Sequence, residues 1–270
     1  MKFTVLIDDK PVDGFKTEHG LSIYAETGDK KILIDTGASP AFALNAEKLG
    51  VDLSKIDYCI LSHGHNDHCG GLNAFLEKND TAKVYLQVDS FSDLLSMKNG
   101  ETKSIGLSSD VLTNEQIIPL DGGLMLDDDT VIFKASEEIY PASSLNLTLF
   151  KRDGDFVCLD EFDHEQYVLL FDGAVSVLIC GCAHLGIANA MERAREISGE
   201  YPMIVIGGFH LQLGDLIESD EYIEELAQTL KSFNSTYYTM HCTGIEGFKK
   251  LKEILGDDIK YLQTGDTIEF

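Results

Sequence analysis

Between residues 60 and 72 the sequence reads ILSHGHNDHCGGL. His63, His65, Asp67 and His68 fall within six positions of a chain that has eight histidines. Imidazole nitrogen and carboxylate oxygen suit zinc, iron or manganese. On a tight loop, His63 and His65 can point to one cation while Asp67 and His68 turn to a second. Gly64, Gly70 and Gly71 would let the backbone bend that sharply. An isolated histidine is more often a satisfied core or surface residue than a ligand, but four donors in so short a run fit that account poorly. The chemistry expected is metal-assisted hydrolysis. One or two divalent ions, zinc first and iron or manganese after it, would lower the pKa of a water and stabilise the developing oxyanion.

Such a loop needs rigid support, and the flanking sequence supplies it. IDYCILS reads as a buried strand leading into the cluster, and GLNAFLEKN as a short helix leaving it. Before them, KFTVLID is a strand and LSIYAET-GDK-KILIDTG a hairpin. SPAFALNAEKLG has the Ser-Pro start and Gly stop of a helix. After them, AKVYLQV is a strand, and residues 91–129 read as an insertion of mixed short elements. TVIFKAS and LNLTLFKRDGDFVCL resume strand structure. EQYVLLF-DG-AVSVLICG is a hairpin with Asp172-Gly173 at its turn. GIANAMERAREIS, DEYIEELAQTLKSF and GIEGFKKLKEIL read as helices. MIVIGG and TYYTMHC read as strands, and IKYLQTGDTIEF closes the chain. Two β-sheets covered by helices are expected, in a single domain over 1–270. Five strands end in Gly-rich or His-containing loops: LIDTG, ILSHGH, LICGCAH, VIGGFH and YTMHCTG. Sites gather at such strand ends.

Forty-six acidic against 21 basic residues give a net charge of −25. That charge repels a phosphate backbone, so nucleic acid is not an expected partner. A bound dication would still attract a small anionic substrate at short range. No segment reads as a membrane span or a signal peptide. The six cysteines, at 59, 69, 158, 180, 182 and 242, form no CxxC pair. A cytoplasmic protein is expected, of open oligomeric state.

SHGHNDH matches the HxHxDH signature of the metallo-β-lactamase fold superfamily. EHGLSIYAE…KILIDTG, LSHGHNDHCGGL, GCAHLGI, GGFHL and HCTG resemble one of its branches. That branch is labelled metal-dependent hydrolases or dihydropterin-ribofuranosylaminobenzene phosphate synthase-like proteins. The resemblance implies an αββα sandwich of two packed mixed β-sheets flanked by helices. It makes His63 and His65 first-cation ligands, Asp67 and His68 second-cation ligands, and His241 a second-cation ligand. Asp35 of LIDTG is implied to brace the histidine loop by hydrogen bonds. His184 lies where the superfamily usually has a bridging aspartate and is the strong ligand nearest that place. His210 resembles the extra histidine that some members use as a proton donor; a direct ligand and a structural residue are its alternative readings. Asp67 would also orient the attacking water. His19 belongs to the branch-like EHGLS, and His164, in the acidic DEFDHEQ, is expected at the surface.

Two departures stand out. Besides His164 there is no separate third-motif histidine between residues 70 and 180, and SEEIYPASS lacks the arginine of a branch stretch found near the middle of the chain. Cys69, Cys182 and Cys242 adjoin the motif histidines, either as small packing residues or as thiol ligands. A hydrolase of a small anionic or phosphorylated substrate is therefore expected. The alternatives are a synthase acting on a pterin-type phosphorylated intermediate and a non-catalytic metal-binding protein.

Overall fold

A computed structural model describes the chain except residues 99, 109, 110, 112, 136 and 137. The start of SEEIYPASS and four positions of the 91–129 segment therefore lie outside the described residues. The chain divides into two compact units that interleave in sequence. Unit 1 comprises Met1–Asp121, Thr148–His164 and Gln263–Phe270; unit 2 comprises Gly122–Leu147 and Glu165–Leu262.

Strands and helices are numbered along the whole chain. Unit 1 has β1 (Lys2–Ile7), β2 (Ser22–Thr27), β3 (Lys30–Ile34), β4 (Tyr58–Ile60), β5 (Lys83–Gln87), β6 (Asp93–Lys98), β7 (Glu101–Ser104) and β8 (Ile117–Leu120). Its later strands are β11 (Leu149–Asp153), β12 (Phe156–Leu159) and β20 (Thr267–Glu269). The main sheet runs β20-β1-β2-β3-β4-β5-β8, and a smaller one runs β12-β11-β6-β7. In the 91–129 segment, β6 and β7 thus join the small sheet and β8 extends the main one. β3, β4 and β5 are parallel neighbours. Their apolar runs fit strands covered on both faces. Helix α1 (Ala41–Leu49) follows β3, and α2 (Asn66–Cys69) and then α3 (Leu72–Leu76) follow β4. Phe42, Leu72, Phe75, Leu33 and Val84 share one buried cluster.

Unit 2 has β9 (Leu124–Asp127), β10 (Thr130–Phe133), β13 (Tyr167–Asp172), β14 (Val175–Ile179), β15 (Ile204–Gly207), β18 (Thr236–Thr239) and β19 (Ile259–Tyr261). Their order is β19-β18-β15-β14-β13-β10-β9. The short ribbon β16 (Gln212–Leu213) and β17 (Leu216–Ile217) stands apart as a two-stranded sheet. Helices α4 (Ile187–Ser198), α5 (Asp220–Ser232) and α6 (Gly244–Leu255) complete the unit. Ser219 caps α5 by accepting a hydrogen bond from Tyr222 N, and Ile223, Leu226, Ala227 and Leu230 form its buried stripe. That i, i+3, i+4, i+7 spacing is what places an amphipathic helix on a sheet.

Two local expectations change. In the β13–β14 hairpin Asp172 pairs with Val175, so the turn residues are Gly173 and Ala174. Gly173 adopts φ 59°. The first turn position therefore takes the left-handed conformation, and glycine supplies it without a Cβ clash. After the histidine loop, Gly70 and Gly71 have ordinary φ values of −66° and −84°. They are needed for close approach instead of for bending. A Cβ at Gly70 would overlap the Ala38 carbonyl, and one at Gly71 the Thr36 carbonyl.

Gly71→Ala should therefore destabilise the protein by about 1–3 kcal/mol, the cost of overpacking. Denaturant unfolding measures this; an unchanged midpoint would mean the Thr36 loop moves aside freely.

Candidate functional site

The unit 1 site starts at the carboxyl ends of two adjacent parallel strands. Asp35 follows β3 and donates its backbone N–H to Ile60 O of β4 at 3.0 Å. This fixes its side chain beside Ser62. Asp35 Oδ1 accepts from Ser62 N at 2.7 Å, and Oδ2 accepts from Ser62 Oγ and from His68 Nδ1, both at 2.7 Å. Asp35 and His68 are fully buried. Because the Ser62 hydroxyl spends its proton on Asp35, its oxygen accepts from His63 Nδ1 at 2.9 Å. His63 and His68 thus both carry their proton on Nδ1. Each presents an Nε2 lone pair, the form that binds a cation.

The loop brings its own donors together. The ring centres of His63 and His65 lie 4.6 Å apart, and those of His63 and His68 4.1 Å apart. Asp67 Oδ2 lies 3.5 Å from His68 Nε2 and 3.4 Å from His19 Nε2. His19, half exposed, is held on its other side by Asp9 at 2.7 Å. Burial, with His164 nearby, lowers the pKa of His65 to about 3, so its imidazole is neutral.

His164 is not at the surface. It is 1% exposed, with its ring centre 5.3 Å from that of His65. The Gly64 N–H donates to its Nδ1 at 3.1 Å, so the proton sits on Nε2 and is donated to Asp160 at 2.9 Å. Both ring nitrogens are therefore committed. His164 anchors the histidine loop although 100 residues of sequence separate it from Gly64. The acidic run around it misled the sequence reading because one of those acids, Asp160, is its buried partner.

Unit 2 gathers its candidates by the same device. β14, β15 and β18 are consecutive parallel neighbours. Their carboxyl ends carry the loops of His184, His210 and His241. All three histidines are buried. Ala183, His210 and His241 have φ values of 54°, 47° and 48°, a conformation that costs a non-glycine residue energy. The His184 and His210 ring centres are 4.1 Å apart. His184 Nδ1 donates to Asn146 Oδ1 at 3.0 Å, which again leaves the lone pair on Nε2. The buried Glu165 carboxylate accepts from His184 N (2.7 Å), Leu185 N (2.9 Å) and Tyr167 OH (2.5 Å). Burial and the Glu165 charge raise the Tyr167 pKa well above its usual value, so this hydroxyl stays a donor. Burial alone would raise the Cys242 thiol pKa, but nearby Cys182, His210 and His241 bring it well below its ordinary value.

Ser62, Asn146, Glu165 and the Asp160–His164 pair were missed in the sequence. Ser62 alone had a local signal, standing between a strand and the first ligand-type histidine.

The donor sets suit divalent cations: in unit 1, imidazoles held through Nδ1 with the Asp67 carboxylate beside them, and in unit 2, imidazole nitrogen and thiol sulfur. With its HxHxDH loop and strand-end histidines, this is the fold of a metallo-β-lactamase-type protein. The chain belongs to the metallo-beta-lactamase superfamily, whose family model matches residues 16–228. It is 29% identical over 256 residues to an uncharacterized protein of Methanocaldococcus jannaschii, covering 93% of each chain. It is 27% identical over 277 residues to the 7,8-dihydropterin-6-methyl-4-(beta-D-ribofuranosyl)-aminobenzene-5'-phosphate synthase of the same organism, covering 95% of this chain and 91% of that one. The crystal structure of a metal-dependent hydrolase of the beta-lactamase superfamily superposes with a TM-score of 0.86 at 27% identity, covering 100% of this chain and 99% of that one. The fold class is thus the mixed α/β fold expected from the HxHxDH resemblance. Among the described residues, no helix is long and apolar enough to cross a membrane.

If the Nδ1 partners set the ligand tautomers, Asp35→Asn and Asn146→Ala should each weaken zinc binding about 10–100-fold with every ligand still present. Competition with a chelator of known affinity measures it. Wild-type affinity in both variants would refute the bracing role.

Proposed function

We propose that residues 1–270 work as a single metal-dependent hydrolase domain acting on a small anionic substrate, phosphate esters included. His63, His65, Asp67 and His68 of unit 1 would supply ligands for divalent ions, zinc before iron or manganese, and His184 and His241 are the ligand candidates of unit 2. The observation that carries this reading is the Asp35–Ser62–His63/His68 network, which orients two neighbouring imidazoles through their Nδ1 atoms. A bound cation would supply Lewis acidity, activating water and drawing in an anion. Asp67 orients the attacking water through its carboxylate, and His19 steadies that carboxylate from the solvent side. The net charge of −25 disfavours nucleic acid and favours a small ligand held by short-range attraction.

The 27% identity to the methanogen synthase over most of both chains supports a second reading. In it the same donors serve a transfer onto an acceptor other than water.

His63→Ala/His65→Ala should lower the bound metal relative to wild type, read by elemental analysis of protein purified without added metal. It should also abolish zinc-, manganese- or iron-dependent cleavage of ester, phosphomonoester and phosphodiester panels. Wild-type metal content in that variant would refute the assignment. Cleavage that requires a second organic substrate and leaves no oxygen-18 from solvent water in the product would favour the synthase reading.

A further inference from the structure

The loops after β14, β15 and β18 carry a second set of donors, which the hydrolytic reading does not use. They are Cys182, His210 and Cys242, all buried in unit 2. One ligand atom from each, two thiol sulfurs and a ring nitrogen, lie within 4.8 Å of one another. Tetrahedral zinc with bonds of about 2.0–2.3 Å holds its donors roughly 3.5 Å apart, so a small contraction completes the set. Packing explains two small cysteines well, but it does not explain His210. That residue is 2% exposed, and among the described residues neither ring nitrogen has a hydrogen-bond partner of ordinary geometry, the Cys242 sulfur being the polar group that interacts with it. Leaving buried polar atoms unsatisfied destabilises a fold, and the left-handed backbone of His210 adds to that cost.

The surroundings hold these donors in place. Phe209 N donates to Thr243 Oγ1 at 2.9 Å, His210 N to Cys242 Sγ at 3.2 Å, and Leu211 N to Cys242 O at 2.9 Å. A Cβ at Gly208 would overlap the Cys242 sulfur, so the loops approach as closely as they can only because that position is glycine. We infer that Cys182, His210 and Cys242 form a site for a thiophilic dication of the zinc type. Binding forms two metal–sulfur bonds and one metal–nitrogen bond, and any sulfur still protonated gives its proton to solvent. His210 then joins the ligands, instead of the proton donors to which its place in the chain points. The cation also clasps three strand-end loops, one of which ends in His184.

Cobalt(II) titration of the metal-free full-length chain tests the inference independently of turnover. Wild type should develop the near-ultraviolet sulfur-to-cobalt charge-transfer band of thiolate ligation. That band should vanish in Cys182→Ser/Cys242→Ser, weaken in His210→Ala and persist in His63→Ala/His65→Ala. Cobalt binding to wild type without the band, or a band that survives the double serine change, would overturn the site. Should the serine variant not fold, zinc-edge X-ray absorption of wild type decides: a sulfur shell at about 2.3 Å supports the site, and a shell of nitrogen and oxygen alone overturns it. Absence of turnover with the band intact counts against the hydrolase reading and leaves this site standing.

Discussion

A buried carboxylate without donors would be among the most expensive groups a fold could carry, and Asp35 sits at zero exposure in left-handed backbone. What makes it tolerable is that three donors converge on it: the Ser62 amide, the Ser62 hydroxyl and the His68 ring. Charge-assisted bonds of this kind are the strong ones. The dependence runs both ways. The donors keep the charge buried, and the charge dictates which nitrogen of His63 and His68 carries a proton. One interaction thus sets both the shape of the loop and its chemistry.

The same logic recurs in unit 2 with different residues. Glu165 gathers the His184 and Leu185 amides, and Asn146 fixes the imidazole. A neutral amide suffices there because the carboxylate is spent on the backbone. In both units adjacent parallel strands bring distant residues to one edge, and buried acids lock the loops that leave it.

The readable and unreadable parts of this arrangement follow that division. His63, His65, Asp67 and His68 were legible because all four lie on one short loop, where type and spacing carry the chemistry. The helices were legible too: the buried stripe of α5 and its Ser219 cap are local facts. His164 was not, because its burial depends on a contact with Gly64 made across 100 positions. Asn146 was hidden the same way, 38 positions from His184. For Gly70 and Gly71 the residue type was informative but the reason differed. A sequence can show that a side chain is missing without showing which carbonyl would have struck it. The turn of the β13–β14 hairpin moved by one residue because strand register belongs to the pair of strands and not to the turn dipeptide alone.

The interleaving of the two units has a consequence for the order of synthesis. β1 is made first, yet one of its two partners in the main sheet is β20, with Thr4 opposite Thr267. Residues 148–164, including the His164 that holds Gly64, also belong to unit 1 but emerge after the first strands of unit 2. During translation the histidine loop therefore exists for a time without its anchor, and β1 without its outer neighbour. Unit 1 cannot close ahead of unit 2 as a conventional N-terminal domain would. Its long-range pairings wait for the later segments, and until β20 arrives one edge of β1 stays unpaired.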